Sequence, residues 1–317
     1  MSTAHIERSA SPLRRFVRNV VKDRALLMLL LPGVLYLLLN NYFPMFGIII
    51  AFKDINYAQG ILGSDWVGFD NFEFLFTTSD AWLITKNTLM YNAIFIVLNL
   101  VVPITFAIML NELRRQMMAR FYQSVMFLPH FLSMIVVGYL GYSLLSGQYG
   151  FINANILKPL GFEGISWYSE PEYWTYILPI VNVWKHAGYY SIIFLAAIIG
   201  IDNEYYEAAH IDGANKRQQI TGITLPLIRP VIVVMTLLQI GKIFNADFGL
   251  FYQVPLDSGA LYSTTQVIDT YVYRALLNLG DIGMSSAAGL YQAFVGFVLV
   301  VATNYIVRKI DKDNALF

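Results

Sequence analysis

Two stretches of this sequence carry polar and ionisable residues in the middle of long apolar runs. The first, "ILPIVNVWKHAGYY" at 177–190, holds Asn182, Trp184, Lys185 and His186, followed by Tyr189 and Tyr190. The second holds Gln239, Lys242, Asn245 and Asp247. At bilayer depth such groups are costly, and by default they face a cavity or a partner. The chemistry they offer is reversible binding: amides exchange hydrogen bonds with hydroxyls, and aromatic faces stack on C–H surfaces. If Lys185 and Lys242 face the pathway, their charge in a low-dielectric cavity would favour an anionic solute. Other readings stay open. Asn182, Gln239 and Asn245 can join helices by hydrogen bonds, Lys242 and Asp247 can pair or snorkel outward, and His186 can be a packing donor or a pH-sensitive group. Asn92, Asn99 and Gln292 are further polar residues that could line the same cavity.

Bond-making chemistry is poorly supplied. Cysteine is absent, which removes disulfides, thiolate metal sites and a thiol nucleophile. His5, His130, His186 and His210 are scattered without metal-ligand spacing, and no Ser-centred nucleophile elbow is present. No G-x-x-x-x-G-K-[ST] loop exists to cradle ATP phosphates, so any ATP and Mg²⁺ would sit on another subunit and this chain is expected to bind no cofactor. The formal net charge of zero, with no basic cluster outside the N-terminal tail, argues against a nucleic-acid partner.

The elements that position these residues follow from composition. The chain has 317 residues, 57% hydrophobic and 13% charged, against about 45–50% and 25% for soluble domains. A bilayer must take up that surplus. Six apolar runs, near 25–51, 87–111, 122–146, 173–200, 228–252 and 285–307, are each long enough to cross about 30 Å of hydrocarbon as a helix. They are continuous rather than alternating, so helices are expected and not a barrel. The fold class is all-α, a polytopic membrane protein. The first run is too long for a signal peptide and has no cleavage site behind it. Most of the 21 basic residues, including Arg8, Arg14, Arg15, Arg18, Lys22, Arg24, Arg114, Arg115, Arg120, Lys216, Arg217, Arg229, Arg308, Lys309 and Lys312, fall on one side. That side is cytoplasmic by the positive-inside rule, which places both termini there. The expected organisation is a basic tail (1–24), one membrane domain (25–310) with a cytoplasmic loop at 200–227, and a short tail (311–317). Residues 66–76, "WVGFDNFEFLF", read as a short amphipathic interfacial helix. The sequence shows no internal repeat and no broken helix pair.

The loop between the fourth and fifth spans, "NEYYEAAHIDGANKRQQITGITLPLIRP" at 203–230, is the most informative segment. Asn203 can cap a helix whose first turn holds Glu204 and Glu207. Gly213 can end it in a left-handed conformation, and Pro226 and Pro230 set the entry to the next span. Ala208, Ala209 and Ala214 allow another backbone to approach closely. Glu207, Ala208, Ala209, Gly213, Ile223, Leu225 and Pro226 together match the signature E-A-A, three residues, Gly, nine residues, I-x-L-P, at every interval. Chance would produce this on the order of once in a million chains of this length.

On these residues the sequence resembles the permease subunits of ABC importers, and "YEAAHIDGA", "TLPLIRP", Trp184 and "VGFDNF" resemble the carbohydrate branch of that family. The resemblance covers about 67–310. It implies a type I importer-like fold in the cell membrane and transport of a sugar or oligosaccharide. A second homologous permease, a cytoplasmic ATPase dimer and an extracellular solute-binding protein would be the partners. It implies that the 200–227 loop docks on the ATPase through Glu207 and Asp212, with Gly213 allowing the turn. It further implies Trp184, Tyr189, Gln239 and Asn245 as sugar contacts; the charge of Lys185 and Lys242, if they face the pathway, adds the expectation of an acidic, uronate-containing solute. The alternatives are an ABC permease for another solute, and a gradient-driven transporter using Lys185, His186 and Asp247 as a relay, which leaves the signature spacing unexplained. A membrane enzyme lacks candidate residues.

Overall fold

The structure, a computed structural model, describes residues 22–113 and 115–310. Arg8, Arg14, Arg15 and Arg18 of the basic tail, Arg114, and the 311–317 tail with Lys312 lie outside the described residues. Three helical stretches are long and apolar enough to cross a membrane unaided: Arg24–Phe52, Ser79–Asn111 and Ile282–Lys309. Three bent pairs, Gln116–Phe131 with Met134–Leu145 (99°), Pro171–Ile199 with Asn203–Ile211 (68°) and Lys216–Leu227 with Arg229–Ile240 (58°), bring the total among the described residues to six when each pair is counted as one span.

In chain order, α1 (Arg24–Leu37) runs on through a π turn and a 3₁₀ segment to Phe52. It buries none of its residues within the chain, so its apolar surface is left for lipid or another subunit. α2 (Ser79–Asn111) begins earlier than the apolar run suggested, because the Thr78 hydroxyl caps it by accepting from the Ala81 amide at 3.1 Å. Then come α3 (Gln116–Phe127), α4 (Met134–Leu145), α5 (Pro171–Ile199) and α6 (Asn203–Ile211). They are followed by α7 (Lys216–Gln219), α8 (Arg229–Ile240), α9 (Phe248–Gln253), α10 (Ile268–Leu279) and α11 (Ile282–Ile310).

Lipid is as apolar as leucine, so contact between spans depends on close packing rather than on escape from water. Two clusters show where that packing lies along α2 and α5. Towards the N-terminal end of both, Tyr91, Phe95, Trp174 and Leu178 pack with Val137 of α4 and with Leu250 and Phe251 of α9. At the other end, Ala107, Leu110, Phe194, Leu195 and Ile198 enclose Ile228 at the base of the 203–228 loop. Asn99 of α2 and Asn182, Lys185 and His186 of α5 lie between the two clusters along their helices.

Two spans are broken, against the sequence reading, because an apolar run carries no mark of where its hydrogen-bond ladder stops. The third leaves α3 through a 3₁₀ turn (Leu128–Phe131, with Pro129 in its first positions), turns sharply at Leu132, and restarts where the Ser133 hydroxyl caps α4 by accepting from Val136 N. The fifth stops after Ile240 and crosses 241–247 in turns before Asp247 caps α9 through Leu250 N at 3.1 Å. Non-helical backbone at membrane depth is tolerated only inside protein or beside a polar cavity.

The expected interfacial helix at 66–76 is also corrected. Lys53 pairs with Trp66 in a two-residue antiparallel ladder, and short helical turns follow at Asp70–Phe72 and Phe74–Thr77. The Phe52 ring gathers Trp66, Phe69 and Phe72 at 5.5–5.6 Å, and Lys53 Nζ donates to the Leu62 and Ser64 carbonyls. Those contacts fold the segment back on the end of the first span and override amphipathic helix formation. Further along the chain, the loop expected at 253–284 contains α10, and Arg274 there bonds Asp257 at 2.6 Å while lying 4.1 Å over the Tyr262 ring.

Candidate functional site: a polar cavity between two broken spans

A cavity of about 810 Å³ opens between α2, α5, α8 and the 241–247 break. On α5 it is lined by Asn182, His186, Tyr189, Tyr190 and Ile193. Their spacing of three and four residues puts them on one helix face. α2 contributes Asn92, Phe95 and Asn99, α8 contributes Met235 and Gln239, and the break contributes Lys242, Asn245 and Asp247.

The polar atoms fall into two groups. Some are consumed by the fold: Asn92 Nδ2 donates to the Ile243 carbonyl at 2.8 Å and the Asn245 carbonyl at 3.2 Å, closing part of the break. Others are left over. Asn99 Oδ1, Asn182 Oδ1 and Gln239 Nε2 are buried and make no hydrogen bond among the described residues. A buried polar atom without a partner costs about 1–3 kcal/mol. The residues that carry these two acceptors and one donor line one cavity, and hydroxyl groups, which both donate and accept, are the partners that suit them.

Charge is also distributed unevenly. Asp247 Oδ2 lies 3.8 Å from His186 Nε2, not beside Lys242 as one sequence reading allowed. Lys242 lines the cavity and has no carboxylate at ion-pair distance among the described residues. Three rings lie nearly parallel beside one another: His130 stacks on Tyr189 at 4.5 Å and 10°, and Phe127 sits 5.7 Å from His130 at 17° and 6.3 Å from Tyr189 at 15°.

The structure brings Tyr189, Gln239, Lys242 and Asn245 to this cavity and sets the other two expected solute contacts apart from it. Trp184 is 43% exposed on the far side of α5, in an apolar groove with Val183, Ile180 and Val102. Lys185 is only 7% exposed and donates to the carbonyls of Pro129 (3.4 Å), His130 (3.3 Å) and Leu132. It points into the neighbouring break because α3 and α5 touch there: a Cβ on Gly188 would lie 1.9 Å from the Met126 carbonyl oxygen. Asn99, Asn182 and His186 gain weight, and the stripe at 182, 186, 189, 190 and 193 is the sequence signal that finds the last two.

The 203–228 loop is built from two capped turns. Asp202, rather than Asn203, caps α6, its Oδ1 accepting from Glu204 N at 3.0 Å. α6 ends on Gly213 at φ +80°, with Ala214 N donating to Ala209 O and Gly213 N to His210 O. This paired closure is a Schellman motif, and it gives the A-x-x-x-G interval a physical reason: Ala209 supplies the last-turn carbonyl and Gly213 the left-handed residue. Asn215 and Gln218 then form a reciprocal capping box at α7. Glu207, Ala208, Asp212 and Gly213 are exposed, Ala209, Ala214, Ile223 and Leu225 half-buried, and Pro226 exposed. Ile211 stands 85% exposed beside them. Tyr206 Oη and Thr224 Oγ1 meet at 2.9 Å and tie the exposed helix to the loop's base.

The family described as "Binding-protein-dependent transport system inner membrane component" matches residues 99–312. The polygalacturonan/rhamnogalacturonan transport system permease protein YteP of Bacillus subtilis strain 168 is 37% identical over 95% of this chain and 93% of its own length. The diacetylchitobiose uptake system permease protein DasB of Streptomyces coelicolor is 28% identical over 84% and 81%. Among solved structures, a chain of a bacterial ABC transporter involved in the import of the acidic polysaccharide alginate superposes with a TM-score of 0.86. It is 34% identical and covers 94% of this chain and 99% of that one.

Proposed function

This chain belongs to the family of binding-protein-dependent transport system inner membrane components, and on that premise we propose that it carries an acidic, uronate-containing oligosaccharide through the cavity between its broken spans. The observation that carries the reading is the pairing of uncommitted hydrogen-bonding atoms on Asn99, Asn182 and Gln239 with a Lys242 ammonium that no carboxylate neutralises among the described residues. Amides and the Tyr189 face meet hydroxyls and C–H surfaces, and Lys242 with Asn245 meets carboxylates. Relatives named for pectic polymers and for alginate support the anionic choice, and the diacetylchitobiose relative supports an oligosaccharide more generally.

In this reading the chain is a multi-pass subunit of the cell membrane, and ATP with Mg²⁺ is held by a separate ATPase dimer. A second homologous permease completes the pathway and an extracellular binding protein delivers the solute; the solved relative in complex with an alginate pentasaccharide-bound periplasmic protein supports that last partner. The exposed α6 surface, with Glu207, Ala208, Asp212 and Ile211, docks on the ATPase, and Gly213 and Ala214 shape the turn. ATP-driven closure of that dimer shifts the spans between inward-open and outward-open packings.

The test is uptake of labelled trigalacturonate and maltotriose by cells carrying the whole importer, with and without ATP depletion. Trigalacturonate uptake should require ATP, exceed maltotriose uptake, and be lost in Gly213→Pro while the protein still reaches the membrane. Equal uptake of both sugars sinks the acidic reading. Uptake that survives ATP depletion and the mutation sinks the coupling reading.

A further inference from the structure

Lys185 lies at the centre of α5, and its surroundings contain no carboxylate at ion-pair distance among the described residues. Its ammonium meets backbone instead, the carbonyls of Pro129, His130 and Leu132. These belong to the 3₁₀ turn and the bend where the third span stops, and a helix end leaves its last carbonyls without intrahelical donors. Pro129 O also accepts from Leu132 N at 3.2 Å. An ammonium offers three donors and no acceptor, which matches three converging carbonyls. The reach is set by the contact of Gly188 with the Met126 carbonyl one turn further along α5.

The carbonyls that Lys185 holds belong to the segment that carries the rings beside Tyr189. His130 stacks on Tyr189, and Phe127 on His130; His130 also lies 5.9 Å from the His186 ring. Tyr189 and His186 both line the cavity. The path from Lys185 to the cavity therefore runs through the broken turn and its rings.

We infer that Lys185 is a positioning residue: its ammonium seals the break in the third span and thereby fixes the Phe127 and His130 rings beside Tyr189, without touching the solute. The inference rests on the cavity being the solute path, and its primary readout needs neither solute nor ATP. The chain has no cysteine, so a single thiol introduced at Ile193, one turn from Tyr189 on the cavity wall, reports the wall's conformation. Its rate of modification by a cationic methanethiosulfonate is measured in membranes holding the whole importer.

In Lys185→Ala the rate should change by about tenfold, equivalent to ~1.4 kcal/mol, within the range for leaving buried polar groups unpaired. Propylammonium, which fits the space left by the deleted side chain, should restore the rate, and tetramethylammonium, which has no N–H, should not. Lys185→Met fills the same space without donors; it should show the altered rate and no rescue, and it serves as the second variant if Lys185→Ala fails to reach the membrane. Uptake abolished with the resting thiol rate unchanged would mean that Lys185 meets the solute, and would overturn the inference. An unchanged rate with unchanged uptake would overturn it equally. Failure of the acidic-sugar reading leaves the thiol measurement standing, so the two are separable.

Discussion

The first break, in the third span, reaches the cavity only through the stack of His130 on Tyr189, whereas the second, in the fifth span, lines it, and the two are closed by opposite chemistry. At the first, the exposed backbone atoms are carbonyls, and a buried cation, Lys185, donates to all three. At the second, carbonyls and an amide are both exposed. Asn92 donates to Ile243 and Asn245, Gln292 Nε2 donates to the Phe244 carbonyl at 2.6 Å, and Asp269 Oδ2 accepts from Ala246 N at 2.8 Å and from Gln292 at 3.1 Å. A single-sign demand is met by one charge from one helix. A mixed demand is met by amides and a carboxylate from α2, α10 and α11. The first break therefore depends on the α3–α5 contact, whereas the second ties three elements together and should tolerate the loss of any one.

The sharpest way to break this contrast is Gly188→Val, which drives a side chain into the Met126 backbone and unseats the first break as a whole. Overpacking against backbone should cost roughly 3 kcal/mol or more, read as loss of the thermal unfolding transition of the solubilised complex. Asp269→Leu removes the acceptor for the Ala246 amide and should cost about 1–3 kcal/mol, seen as a lowered unfolding temperature. Asn92→Leu should cost about 1 kcal/mol by the same measurement, since Gln292 and Asp269 still hold the segment. If Asn92→Leu proves as damaging as Gly188→Val, the proposed redundancy of the second break is wrong. Lys242→Gln should leave the unfolding temperature unchanged while trigalacturonate uptake falls about tenfold, the effect of ~1.4 kcal/mol. Smallest is Lys216→Ala. It removes an exposed pair with Glu112 at 3.0 Å, worth about 0–1 kcal/mol, and its unfolding temperature should stay near that of the parent.

How much of this was legible in the sequence depended on whether residue type or only position carried the information. The 203–226 segment was readable because its closure needs Gly at a left-handed position and a fixed interval back to Ala209. Tyr189, Gln239, Lys242 and Asn245 were readable as polar groups in apolar runs. Trp184 misled because it is polar-capped and adjacent to the right residues, yet two positions before His186 is the opposite face of a helix. Lys185 misled for another reason: it shares the stripe's general direction, but the α3–α5 contact turns it towards a break that the sequence does not announce. The breaks themselves rest on hydrogen bonds between residues 23 or more positions apart, such as Lys185 with His130 and Asn92 with Ile243, and no local pattern encodes those.

The base of the 203–228 loop has a consequence for energy flow. Ile228 is sealed among Ala107, Leu110, Phe194 and Ile198, with Leu225 packed beside them, and the Tyr206–Thr224 contact joins that base to the exposed helix. The same α2 and α5 form the cavity wall above. A link that stiff works in both directions: any free energy by which a docked protein shifts the cavity between its packings must return as an equal shift in that protein's affinity when the cavity fills. In the proposed reading, solute in the cavity is then a signal to the docked ATPase as well as cargo.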